Sequence, residues 1–137
     1  MTVTLDTNAY SDWRKAGKWR ETLALADKIY VPSIVIGELD FGFRNGIRYQ
    51  ENWRKLEDFL NQVQVEEWCV GRREARIYGG LVLDLRQSGN PIPLNDVWIA
   101  ACSEAAGSDL LTSDHHFKSL PQVRVRWPQA EMGFRKE

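Results

Sequence analysis

At 137 residues and 43% apolar content, the chain is long enough for one hydrophobic core and too apolar for disorder to be the default. A formal net charge of −1 excludes a simple electrostatic glue for nucleic acid. Two cysteines, Cys69 and Cys102, are too few for a disulfide framework or a cysteine zinc site. With no leader-like opening and no apolar run near ~20 residues, the expectation is a soluble, cytoplasmic protein with no membrane contact.

The chain opens on a strand. Val3 and Leu5 alternate with Thr2 and Thr4, a period of two rich in β-branched residues. The run stops at an acid, Asp6, followed by the turn formers Thr7 and Asn8. A short helix is predicted from Ala9 to Lys15, ended by Gly17, and a second from Trp19 to Ala26. Lys28 to Val31 reads as a strand stopped by Pro32, and Ser33 as the N-cap of a helix carrying Ile34, Val35, Leu39 and Phe43. That helix holds one early acid, Glu38. A lone Glu on an apolar segment is usually a surface residue; the alternative is a place in a site.

After Asn45-Gly46, the residues Tyr49, Trp53, Leu56, Leu60 and Val63 step by three and four, the stripe of a long amphipathic helix. Val65 to Val70 reads as a short strand. Arg72 to Gln87 is the next helix, with Ala75, Tyr78, Leu81, Val82 and Leu85 inward. Gly79-Gly80 in mid-helix costs about 1 kcal/mol per glycine relative to alanine, which close packing within the chain or across a dimer would offset. Arg72, Arg73 and Arg76 at its start form either a solvated basic face or a contact for a phosphate backbone.

Gly89 is the expected left-handed cap of that helix. Asn95 is expected to cap a helix from Asp96 to Ala106, with Val97, Ile99, Ala100 and Ala101 buried, Cys102 a small core residue, and Gly107 closing it. Leu110 to Thr112 is a strand ending in Ser113-Asp114; His115-His116-Phe117 then leads to a last strand, Val123 to Trp127. Strands alternating with helices predict an α/β fold, a central parallel sheet of about five strands with helices on both faces. Residues 1–127 make one domain, and 128–137 a polar tail.

In an open parallel sheet the strand C-termini share one edge, and ligands bind outside it. Asp6 ends the first strand, Asp114 follows a later one, and Glu38 sits in the first turns of the helix after the second. The helix beginning at Asp96 finishes at the opposite edge. About twelve residues at ~1.5 Å each span ~18 Å, which returns its start to the ligand edge.

Four carboxylates from separate elements therefore meet. A like-charged pair ~4 Å apart costs on the order of 4 kcal/mol at an effective dielectric near ~20, so the site would hold protons or divalent cations. All-oxygen donors favour Mg²⁺ or Mn²⁺ over zinc. Helix N-termini near Ser33 and Asn95 would favour phosphate, and cations between carboxylates suit water-driven displacement at a phosphodiester. With the four acids set aside, the charge of the remaining surface rises from −1 to +3.

Leu5-Asp6-Thr7-Asn8, Ser33-Ile34-Val35-Ile36-Gly37-Glu38-Leu39, Pro93-Leu94-Asn95-Asp96-Val97-Trp98-Ile99-Ala100-Ala101 and Leu111-Thr112-Ser113-Asp114-His115-His116-Phe117, in this order, resemble a PIN domain. The nearest likeness is to the VapC-type ribonuclease toxins of toxin–antitoxin pairs, and it runs from Val3 to Val125. The resemblance implies a Mg²⁺- or Mn²⁺-dependent endoribonuclease acting on single-stranded or looped RNA, leaving a 5′-phosphate and a 3′-hydroxyl. It implies Asp6, Glu38, Asp96 and Asp114 as the catalytic, metal-holding acids, Asn8 as support for Asp6, and Thr112 or Ser113 as a hydroxyl near the site. It also implies a homodimer and a cognate antitoxin whose tail covers the site. RNA contacts are expected from Arg72, Arg73 and Arg76, with His115 and His116 at the rim or simply on the surface; adjacent histidines on a loop make a poor zinc site.

Two other classes remain. A non-catalytic PIN-like RNA-binding module would bind RNA in EDTA and form no product. A phospho-acceptor signalling domain needs an acid pair beside its acceptor; Asp114 and Lys118 offer part of that pattern, but Asp6 has no acidic neighbour. A haloacid-type phosphatase would need an acid where Asn8 stands.

Overall fold

The computed structural model describes residues 1–128. The expected tail, Pro128 apart, lies outside the described residues. At the centre is β1 (Thr2–Leu5), where Val3, Thr4 and Leu5 are wholly buried. α1 (Thr7–Ala16) and α2 (Arg20–Leu25) lead to β2 (Lys28–Pro32); α3 (Ser33–Arg44) and α4 (Tyr49–Leu60) lead to β3 (Val65–Trp68). α5 (Arg72–Ser88) and α6 (Leu94–Ala106) return the chain to β4 (Asp109–Leu111), and a 3₁₀ turn (His115–Ser119) precedes β5 (Val125–Arg126).

The strand order is β3-β2-β1-β4-β5 and every pairing is parallel, as the alternating elements predicted. The chain walks outward from β1 to β3, then jumps back across to β4. Right-handed crossovers in opposite directions put helices on both faces. They also make the end of β1 the point where the strand order reverses, the place where open α/β sheets bind ligands.

Several element boundaries differ from the sequence reading. α1 starts at Thr7 rather than Ala9, because Asp6 is its N-cap: the backbone is extended there, and Oδ1 accepts from the Ala9 amide at 2.7 Å. Neither Ser33 nor Asn95 is a cap. Pro32 and Pro93 take that position with φ of −61° and −56° and no side-chain bond, so Ser33 and Leu94 are the first helical residues. α4 stops at Leu60, leaving Val63 94% exposed. The inward residue missed was Phe59, which packs edge-on to Tyr10 and against Trp13.

On α5, Ala75 faces solvent and Glu74 is buried instead, accepting from the Trp68 indole and the Gly71 amide at 2.8 Å each. Gly79 and Gly80 are exposed, and a Cβ on either would meet nothing within 4 Å, so no described helix of this chain presses on them. Gly89 and Gly107 take the left-handed conformation, φ +72° and +64°. Cys102 is a core residue whose thiol burial pushes up to about 12. β3 and β5 are shorter than read, and β4 starts one residue earlier. Among the described residues no helix is long and apolar enough to cross a membrane.

Candidate metal centre

Asp6 leaves the end of β1 and immediately caps α1, so one residue closes a strand and opens a helix. It is 4% exposed. Its Oδ1 accepts from the Ala9 amide, and its Oδ2 accepts from the hydroxyl of Thr112, itself wholly buried just past β4. Thr112 Oγ1 also accepts from the Asp114 amide at 2.9 Å. One hydroxyl thus fixes the first acid and the backbone of the fourth.

Glu38 lies one turn into α3. Its Oε1 accepts from Thr7 Oγ1 in the first turn of α1, and its Oε2 from Asn95 Nδ2 at 3.0 Å at the start of α6. Three helix beginnings are therefore tied together through one carboxylate. Asp96, in the first turn of α6, and Asp114, the N-cap of the 3₁₀ turn, flank His116. The His116 Nδ1 lies 3.2 Å from Asp96 Oδ2 and 3.2 Å from Asp114 Oδ1.

Asp6, Glu38, Asp96 and Asp114 all line a single open cavity of about 740 Å³, together with Thr7, Asn8 and Asn95. Ionisation is unfavourable inside it. Burial, reinforced by the charges of Asp96 and Asp114, pushes the Asp6 carboxyl up to about 6, even though the Thr112 and Ala9 hydrogen bonds pull it down. Burial also raises Asp96, with Asp114 and Glu38 adding to it and the His116 contact opposing. Buried oxygens with too much negative charge suit a divalent cation. Asp96, Asp114 and His116 each offer one ligand atom, all within 4.8 Å of one another.

The remaining residues singled out in the sequence divide. Thr112 is at the heart of the site. Asn8 lines the cavity, but its amide makes no hydrogen bond to Asp6 among the described residues; that support comes from Thr112 and the Ala9 amide. Ser113 makes none to the acids either. Arg72, Arg73 and Arg76 line a separate depression of about 660 Å³ with Ile77. They open α5, directly after β3, and so stand on the ligand edge of the sheet. His115 stacks on Trp127 at 5.8 Å. Sequence reasoning missed Thr7 and Asn95 as the holders of Glu38, although each directly adjoins a predicted acid, and it placed His116 at the rim rather than between two acids.

The family model for the PIN domain matches residues 3–123. The chain belongs to the PIN domain family. This PIN domain is 31% identical over 104 residues to Ribonuclease VapC2 of Rickettsia felis, covering 75% of this chain and 76% of that protein. Ribonuclease VapC4 of Mycobacterium tuberculosis is 28% identical over 95 residues, 69% of this chain and 73% of that one. Among solved structures, VapBC2 from Rickettsia felis bound to a DNA fragment from its promoter aligns with a TM-score of 0.82 at 28% identity, over 94% of this chain and 100% of that one. VapBC-1 from nontypeable Haemophilus influenzae shares the fold, with a TM-score of 0.83 at 23% identity over 92% and 97%.

Proposed function

We propose that this PIN domain is a Mg²⁺- or Mn²⁺-dependent endoribonuclease and the toxin of a toxin–antitoxin pair. The observation that carries the reading is the convergence of Asp6, Glu38, Asp96 and Asp114, from four elements, on one cavity at the point where the strand order reverses. The relatives named Ribonuclease VapC and the VapBC assemblies among solved structures support the substrate and the partner.

Those four acids would hold the cation. Bound there, a divalent ion would lower the pKa of a water and offset charge on the phosphate. The chain's own groups do the positioning. Thr112 holds Asp6 in one orientation and fixes the backbone of Asp114. Thr7 and Asn95 occupy one oxygen each of Glu38 and keep it turned towards the other acids. The N-termini of α1, α3 and α6 open on the cavity and favour an incoming phosphate. Arg72, Arg73 and Arg76, about two strand spacings (~10 Å) along the same edge, would meet the RNA backbone, with His115 at the nearer rim. A cognate antitoxin and a homodimer complete the proposed assembly, acting in the cytoplasm where RNA is at hand.

The test is cleavage of single-stranded RNA by the purified chain with Mg²⁺, with EDTA, and in Asp6→Asn and Asp96→Asn variants. Product should vanish with chelator and fall by at least about a hundredfold in either variant, as for removal of a group that stabilises transition-state charge. Unchanged cleavage in the variants overturns the reading. RNA binding without product under every condition would leave a non-catalytic module.

A further inference from the structure

Between α6 and the 3₁₀ turn, Asp96 and Asp114, which line the cavity, adjoin a base. His116 places Nδ1 at 3.2 Å from a carboxylate oxygen of Asp96 and at the same distance from one of Asp114. Donors ~2.1 Å from a common ion and about a right angle apart are separated by ~3 Å, so both contacts have the length of an edge in a coordination shell.

The placement is built rather than incidental. The His116 amide donates to Asp114 Oδ1 at 2.9 Å, which locks the residue to the acid two positions earlier. The Asp114 amide is held in turn by Thr112. Next along the turn, Phe117 is 1% exposed and anchors it in the core. The imidazole itself is half exposed, so no packing requirement explains why its nitrogen is turned onto two carboxylates.

We propose that His116 Nδ1 is a nitrogen ligand to the cation held by Asp96 and Asp114, making this part of the centre a mixed nitrogen–oxygen site. The inference rests on the reading above that these acids hold a divalent ion. Imidazole suits first-row transition metals, whereas carboxylates and water suit Mg²⁺. A site with His116 in the shell therefore prefers Mn²⁺ to Mg²⁺ more strongly than its acids alone would. The competing account is an imidazolium that merely pairs with the two acids and leaves when a cation arrives.

Pulsed EPR on the full chain loaded with Mn²⁺ separates these accounts, because a coordinated imidazole imprints ¹⁴N modulation on the electron spin echo. Wild type and His115→Ala should show it; His116→Ala and His116→Asn should not. Titration calorimetry should find Mn²⁺ affinity about tenfold weaker in His116→Ala, the lower end of what loss of a metal-supporting group brings, with Mg²⁺ affinity changed by less than about twofold. Urea midpoints matching wild type would show that the variants are folded. Bound Mn²⁺ without nitrogen modulation, or modulation that survives His116→Ala, overturns the proposal. If cleavage still depends on the cation and on Asp6 in that case, the nuclease reading stands alone. If Mn²⁺ does not bind at all, both fall.

Discussion

Replacing Asp6 by Asn should make the metal-free protein more stable at pH 8 and less stable near pH 4. In the fold the carboxyl titrates near about 6, against an ordinary 3.8, chiefly because it is buried. The native state therefore holds this proton more tightly than the unfolded chain. Stability contributed by the protonated form is present below pH ~4 and is lost as pH rises through ~6. At about 1.4 kcal/mol per tenfold, the ionised carboxylate costs the apo fold on the order of 3 kcal/mol above that range.

Asn removes the charge and keeps the cap, since its Oδ1 can still accept from the Ala9 amide. What it loses is a carboxylate oxygen as acceptor for the Thr112 hydroxyl, worth about 1 kcal/mol. The balance is a gain of about 2 kcal/mol at pH 8 and a loss of about 1 kcal/mol at pH 4. Urea unfolding in EDTA at the two pH values reads both. Adding Mg²⁺ or Mn²⁺ at pH 8 should reverse the order, because a ligand that binds only the folded wild type stabilises it by mass action. An Asn variant less stable than wild type by the same amount at both pH values would refute the burial argument.

Thr112→Val keeps the volume but removes the hydroxyl shared by Asp6 and Asp114; cleavage kinetics should show a fall of about tenfold or more in kcat with KM less affected, and urea unfolding a loss of about 1–3 kcal/mol. Changing Arg72, Arg73 and Arg76 to Ala should flatten the salt dependence of RNA affinity by ~0.7 in log–log slope for each phosphate that is no longer neutralised, measured by filter binding; an unaltered slope removes these residues from the RNA path. Gly79→Ala with Gly80→Ala adds side chains to an open helix face and should stabilise the isolated helix by about 1 kcal/mol each. If that face is the proposed dimer contact, sedimentation will show dissociation already at higher concentration in spite of the gain; an unchanged dimer places the interface elsewhere.

The acids were legible in the sequence because topology alone decides where a strand ends and where a returning helix starts. Asp6, Glu38, Asp96 and Asp114 follow from counting elements, and the structure puts all of them around one cavity. Their holders were less legible, because a hydrogen bond between Thr7 and Glu38, or Asn95 and Glu38, joins residues far apart in the chain and leaves no periodic trace. Periodicity also misled where partners override it. Glu74 is inward because the Trp68 indole and the Gly71 amide satisfy it, and Val63 is outward because α4 has already ended. Ser33 and Asn95 had cap chemistry, but Pro32 at the end of β2 and Pro93 in the loop after α5 already hold the N-cap positions with a suitable fixed φ.

The electrostatics of the rim set an order of events. α1, α3 and α6 all begin at the edge that carries the acids, and each helix start acts as roughly half a positive charge. Three such ends offset about 1.5 of the negative charges on the four ionised carboxylates, leaving about 2.5 to be met by protons or cations. In that state the cavity repels phosphate, and the charges of Asp96 and Asp114 are part of what raises the Asp6 carboxyl to about 6. One divalent cation brings the rim close to neutrality, and a second would turn it positive. The half-charges of the helix ends then add to the attraction for a phosphodiester rather than being spent against the acids. On the proposed nuclease reading, cation uptake would therefore come before productive RNA binding at this rim, while the arginines at the start of α5, outside the cavity, would be free to hold the backbone throughout.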